Sequence, residues 1–151
     1  MTIIKYISAI LLLAASISPQ TGKTATIVVH KLTADDEQQI STMSDRLFAD
    51  LQSAGADVAV KNYLGGSDLM AGKKAELAQL AGQINTIIGI YGKISKCILV
   101  RTEGRGGVVE ERQFICQHQK LATRWKLLFV KTTDTWVASN MFFDDKVMAT
   151  D

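Results

Sequence analysis

The sequence lacks a dominant charge: 17 lysines and arginines face 15 aspartates and glutamates, a formal net charge of +2. No cluster of Lys and Arg forms a basic stripe, so the chain has no footprint for a phosphate backbone, which excludes nucleic acid as a partner. It also lacks an internal repeat, a low-complexity tract or a linker, and its 151 residues read as one domain with a real core. No catalytic, phosphate-cradling or metal motif stands out. Gly104-Arg105-Gly106-Gly107 has the composition of a phosphate loop but neither a following helix nor a Lys-Ser/Thr pair, and it reads as a hairpin turn. With 47% hydrophobic and 21% charged residues, the chain is neither disordered nor a polytopic membrane protein.

The N-terminus has the three parts of a secretory signal: Lys5, an apolar run from Ile7 through Ile17, and the small residues Ala14, Ala15 and Ser16. Residues 1–18 are read as a signal peptide, cleaved somewhere between 16 and 25. The apolar run falls well short of the ~20 residues that span a bilayer. No cysteine follows it, so a lipid-modified N-terminal Cys is excluded. The expectation is a periplasmic or secreted domain over residues 26–151, without a stable membrane anchor.

After a short apolar piece, Ala25 to Leu32, the segment Thr33-Ala34-Asp35-Asp36-Glu37 supplies an N-cap and early acidic residues. A first helix follows, with Ile40, Met43, Leu47, Phe48 and Leu51 on one face until Gly55. Ala56 to Leu64 forms a short second helix, and Lys73 to Tyr91 a third, with Leu77, Leu80, Ile84, Ile87, Ile88 and Tyr91 as its stripe and Gly92 as its cap. From Ile94 the pattern changes: Ile94 to Arg101, Val108 to His118, Thr123 to Lys131 and Trp136 to Phe143 are rich in β-branched and aromatic residues. Helices first and strands last predict an α+β domain, its N-terminal helices laid across one face of a curved antiparallel sheet of about four strands.

Both faces of the last two strands read as apolar. Trp125, Leu127, Phe129, Trp136 and Phe142 share one side, and Leu128, Val130, Val137, Met141 and Phe143 the other. One side therefore needs a second cover, and a symmetric homodimer through the outer sheet face is expected.

The words Arg124 to Lys131, Asp134-Thr135-Trp136-Val137 and Phe142-Phe143-Asp144-Asp145, with Tyr91-Gly92-Lys93 ahead of them, resemble the closing part of the cystatin-like, NTF2-like superfamily, and more narrowly small exported bacterial proteins with that fold. The likeness covers about residues 73–145. It implies a cone of helices wrapped by a bent sheet, and pairing through the outer sheet face. The superfamily includes isomerases, dehydratases, polyketide cyclases, transport factors and inert adaptors, so the fold leaves function open. The aspartate base and the tyrosine and acid oxyanion donors of its catalytic members have no matching positions here.

The two cysteines, Cys97 and Cys116, lie on consecutive strands, and a turn on Gly106-Gly107 sets them opposite each other at a separation that a disulfide bridges. The same register opposes Arg101 to Arg112 and Glu103 to Glu110, whereas a two-residue shift pairs Glu103 with Arg112 and Arg105 with Glu110. A bulge reconciles the two ends. Two free packed thiols are the alternative to the disulfide, and a soft-metal site with His118 lacks a fourth ligand, since His30 lies far along the chain. No metal or cofactor is expected. His118, Tyr91 and Tyr63 are the candidate acid-base residues, with Asp45, Asp57 or Arg124 as partners, although His118 reads as a solvent-exposed strand end. Two functions follow: an exported non-catalytic cystatin-like module that binds a small hydrophobic ligand or a protein partner, or a ketosteroid-isomerase-like or dehydratase-like enzyme acting in the cone.

Overall fold

The computed structural model describes residues 31–66, 68–70 and 72–148. The signal segment 1–18 and His30 lie outside the described residues, as does all but the last two residues of the apolar piece 25–32. Three helices, α1 (Ala34–Ser53), α2 (Ala56–Leu64) and α3 (Lys74–Tyr91), precede four strands, β1 (Ile94–Arg105), β2 (Val109–His118), β3 (Ala122–Lys131) and β4 (Trp136–Asp144). The strands form one antiparallel sheet in the order β1-β2-β3-β4. This is the α+β arrangement expected from the residue patterns.

Thr33 starts α1 with a capping box: its Oγ1 accepts from Asp36 N at 3.1 Å, and Asp36 Oδ2 accepts from Thr33 N at 3.2 Å. These bonds satisfy backbone donors that a helix start leaves open. Ile40, Leu47, Phe48 and Leu51 turn into the core. There the Phe48 ring meets Phe114 edge-on, with centroids 4.9 Å apart, and Trp125 at 5.9 Å. Such contacts add to the gain from burying large apolar area. Beneath the helices Trp125, Leu127 and Phe129 are fully buried.

The long helix α3 follows the short α2 in the chain. It packs against α2 and buries only Ala81 and Ile84, leaving Leu77, Leu80, Ile87 and Ile88 half-buried. Its C-terminal end is bonded to β2 and to the turn that follows it, through Tyr91 O accepting from Lys120 N at 3.0 Å and Gly92 O beside His118. Gly92 has a φ of 89°, and a Cβ there would lie 2.5 Å from Gln119 Oε1, so conformation and space both require glycine.

Of three register shifts, at Ser95, Val100 and Ser139, the last two bear on the expected side-chain assignments. Cys97 stands opposite Cys116 and Leu99 opposite Phe114, but Val100 is an extra residue, after which Arg101 pairs with Gln113, Thr102 with Arg112 and Glu103 with Glu111. The bulge is real and shifts the register by one, so neither expected set of charge pairs forms. Cys97 and Cys116 are joined in a disulfide. In β4, Ser139 is extra between the Phe129–Ala138 and Leu128–Asn140 pairs. As a result Met141 is buried and Phe143 packs on Trp125 with ring centroids 4.9 Å apart, while Phe142 is 54% exposed on the outer side. The expected assignment of these three residues is therefore reversed, because one inserted residue flips a two-residue alternation.

The inner face of β2 also carries charge. Arg112 is fully buried, with Nε 3.2 Å from Glu110 Oε1, Nη1 donating to Ser41 Oγ at 2.9 Å and Nη2 2.6 Å from Glu37 Oε2. Glu110, equally buried, sits opposite Gly104, whose missing side chain leaves it room. Burial raises the Glu110 carboxyl above its ordinary 4.5, Arg112 opposes that rise, and Glu37 adds to it. Arg112→Met leaves Glu110 buried without its counter-charge and is expected to cost about 3–5 kcal/mol at neutral pH. The cost should shrink as the pH falls toward 4.5, since protonation neutralises the acid. The double variant Glu110→Leu/Arg112→Met should recover most of it. Urea unfolding of the three proteins at several pH values checks this, and a single-variant cost below about 1 kcal/mol would contradict it.

Candidate functional site

A concavity of about 250 Å³ lies between the middle of α1, the end of α2 and the start of the edge strand β4; a larger and more open one of about 380 Å³ lies between α2 and α3, around Val60, Met70 and Leu77. The apolar wall of the first comes from Met43 and Leu47 on α1, Tyr63 on α2 and Trp136 and Ala138 on β4. Met43 lies at the margin of the buried stripe of α1, half-buried where Ile40 and Leu47 are covered, so the groove opens where the helix face outruns the sheet beneath it. Thr42, Arg46 and Asn62 stand at its rim. A shallower depression of about 300 Å³ continues it past Gln38, Gln39 and Thr135.

Trp136 is a fixed wall. Its Nε1 donates to Asp36 Oδ1 at 2.8 Å, its backbone N–H donates to Gln39 Oε1 at 3.2 Å, and Lys131 Nζ lies 5.9 Å from its ring centre. Across the groove the Tyr63 ring packs edge-on against Phe129 with centroids 6.0 Å apart. The Tyr63 hydroxyl is buried and has no hydrogen-bond partner, and burial raises its pKa above the ordinary 10. An orphaned buried donor costs roughly 1–3 kcal/mol.

His118 is buried, contrary to the expectation of exposure. The polar residues beside it belong to the opposite face and the turn, whereas His118 shares the buried face of Cys116. Trp125 Nε1 donates to Thr123 Oγ1 at 2.8 Å, Thr123 Oγ1 lies 2.9 Å from His118 Nε2, and His118 Nδ1 lies 2.7 Å from Gly92 O. A carbonyl only accepts, so Nδ1–H donates to Gly92 O, and in that neutral tautomer Nε2 accepts from the Thr123 hydroxyl, whose oxygen accepts from the indole. Nδ1 ties the end of α3 to the sheet, and Nε2 ties β2 to β3.

The other candidates are dispersed. Tyr91 meets the His118 ring edge-on with centroids 6.2 Å apart, and its hydroxyl donates to Asp145 Oδ2 at 2.8 Å; that bond, with burial, raises its pKa. Asp45 and Asp57 are exposed on helix surfaces, and Asp57 accepts from Asn85 at 3.4 Å. Arg124 lies on the outer sheet face and donates to Asp144, its Nη2 2.7 Å from Oδ2. Tyr63 alone reaches the groove, where no Asp, Glu or His lines the wall. Among the described residues no group of three or more His, Cys, Asp or Glu could hold a metal ion, and the two sulfurs are bonded to each other.

Sequence reasoning missed the groove itself. Met43 and Trp136 read as packing residues, yet a methionine at the margin of a Leu/Ile/Phe stripe, with Arg46 one turn on, is the signal that was available. No known protein family, no characterised protein and no solved structure matches this chain.

Proposed function

We propose that the chain is an exported, non-catalytic binding module of the cystatin-like class, which takes a small and largely apolar molecule into the groove between α1, α2 and β4. The observation that carries this reading is the groove's composition: a mostly apolar wall formed around Met43, Tyr63 and Trp136, with no acid or histidine in it. Catalysis by proton transfer needs a base and an oxyanion donor converging on one reacting atom, whereas binding needs an apolar cleft with a few polar groups. The disulfide between Cys97 and Cys116 suits an oxidising compartment, which supports export. No helix among the described residues is long and apolar enough to cross a membrane.

Thermal-shift measurements with single-ring aromatics and medium-chain aliphatics test the reading. A ligand at 100 times its Kd stabilises by about 2.7 kcal/mol, on the order of 10 °C in a domain of this size. Met43→Trp, which fills the groove, should abolish the shift while leaving the far-ultraviolet dichroism intact. Shifts that persist in that variant would move the site elsewhere.

We also propose a two-fold homodimer through the outer sheet face. Ile98 and Phe142 are more than half exposed there, and Leu128, Val130 and Val137 are only half-buried. Sedimentation at low micromolar concentration should show a dimer that Phe142→Lys dissociates. A wild-type monomer would end this proposal.

A further inference from the structure

We infer that the groove selects a small monocarboxylate, with its apolar body on Met43 and Trp136 and its carboxylate against Arg46. The inference rests on the binding reading above and adds the chemical class of the ligand. Arg46 is the only charged side chain among the groove's lining residues, and the adjoining depression at Gln38, Gln39 and Thr135 adds no charge. Its side chain is 68% exposed and its ionic contact is a loose one, 3.9 Å from Asp50 on the next turn. Asp50 in turn accepts from Asn62 Nδ2 at 2.8 Å. An exposed contact of that length adds little, so the guanidinium is available for a bidentate partner.

The groove's polar balance points the same way. Thr42 is satisfied within its own helix, donating to Gln38 O at 2.8 Å and accepting from Gln38 Nε2 at 3.2 Å. The polar atom left without a partner is the Tyr63 hydroxyl, a donor that is more than nine-tenths buried with its residue. A ligand offering acceptors and negative charge complements an unpaired phenol and a loosely held guanidinium, whereas a cation or a pure donor does not. Met43, with its flexible thioether chain, is the neighbour able to yield as a ligand settles toward Tyr63.

Size narrows the class. A dry cavity of ~150 Å³ holds one benzene ring, so about 250 Å³ suits one ring with a short acidic arm or a chain of roughly eight carbons. Fused tetracyclic bodies are too large.

Calorimetric titration of the mature protein with benzoate, indole-3-acetate and octanoate, each against its neutral counterpart benzamide, indole-3-acetamide or octanol, tests the inference. Carboxylates should bind, and Arg46→Gln, on an exposed helix face, should weaken them about tenfold or more. Added salt should weaken them as well. Tyr63→Phe should weaken carboxylate binding while leaving the melting temperature of the free protein unchanged or higher, a combination that a purely structural tyrosine would not give. Equal binding of neutral and charged probes, or carboxylate binding indifferent to Arg46→Gln, would overturn the carboxylate assignment and leave the groove as a binding site. Failure of every probe to bind would overturn both.

Discussion

One carboxylate, that of Asp36, holds the first helix and the last hairpin together. Its Oδ2 closes the capping box with Thr33, and its Oδ1 accepts from Lys131 Nζ and Trp136 Nε1, both at 2.8 Å. Each bond comes from a different part of the chain: the turn before α1, the end of β3 and the start of β4. The Lys131 bond, then those from Trp136 and Thr33, hold the Asp36 carboxyl well below the usual carboxylate range. The next residue, Glu37, and Ser41 a turn further on bind the buried Arg112 of β2. The N-terminal half of α1 is thus tied to the sheet by charge, and its second half is tied by Leu47, Phe48 and Leu51 in the core.

That tether also shapes the candidate site. Trp136 is fixed by Asp36 on one side and Gln39 on the other, so the edge of the sheet ends in a rigid indole facing Met43. Trp125, Leu127 and Phe129 are fully buried in the interior of the domain. The proposed ligand site lies beside that core, at the seam between the first helix and the edge strand. The buried polar network of His118, Thr123 and Trp125 has a structural task of its own, the joining of α3 to the sheet and of β2 to β3.

Local signals made much of this fold legible. Thr33 and the acidic residues after it mark the start of α1, the bounds of α2 follow from Ala56 to Leu64, and Gly106-Gly107, with φ of 60° and 71°, mark the turn between β1 and β2. That turn sets Arg105 opposite Val109, and the Val100 bulge then brings Cys97 opposite Cys116. What remained illegible depends on tertiary choices. Val100 and Ser139 look like ordinary strand residues, yet as bulges they shift every side chain beyond them. The half-buried flank of α3 carries the same Leu and Ile spacing as a fully buried one. The polar neighbours of His118 describe the other face of the strand, so they mislead about its own. The groove is assembled from Met43, Tyr63 and Trp136, three residues that each pass for core until the edge of the sheet is placed beneath α1.

The central claim is that the Asp36 carboxylate anchors α1 to the closing hairpin, and it is tested most directly by equilibrium unfolding of the wild type and Asp36→Asn across acid pH. A carboxyl held below its ordinary value of 3.8 contributes stability that is complete above that value and is lost as the pH falls below it. The wild type should be the more stable at neutral pH, with the gap between the two proteins closing as the pH drops below 3.8. A gap that stays constant through the acid range, or no gap at neutral pH, would contradict the account.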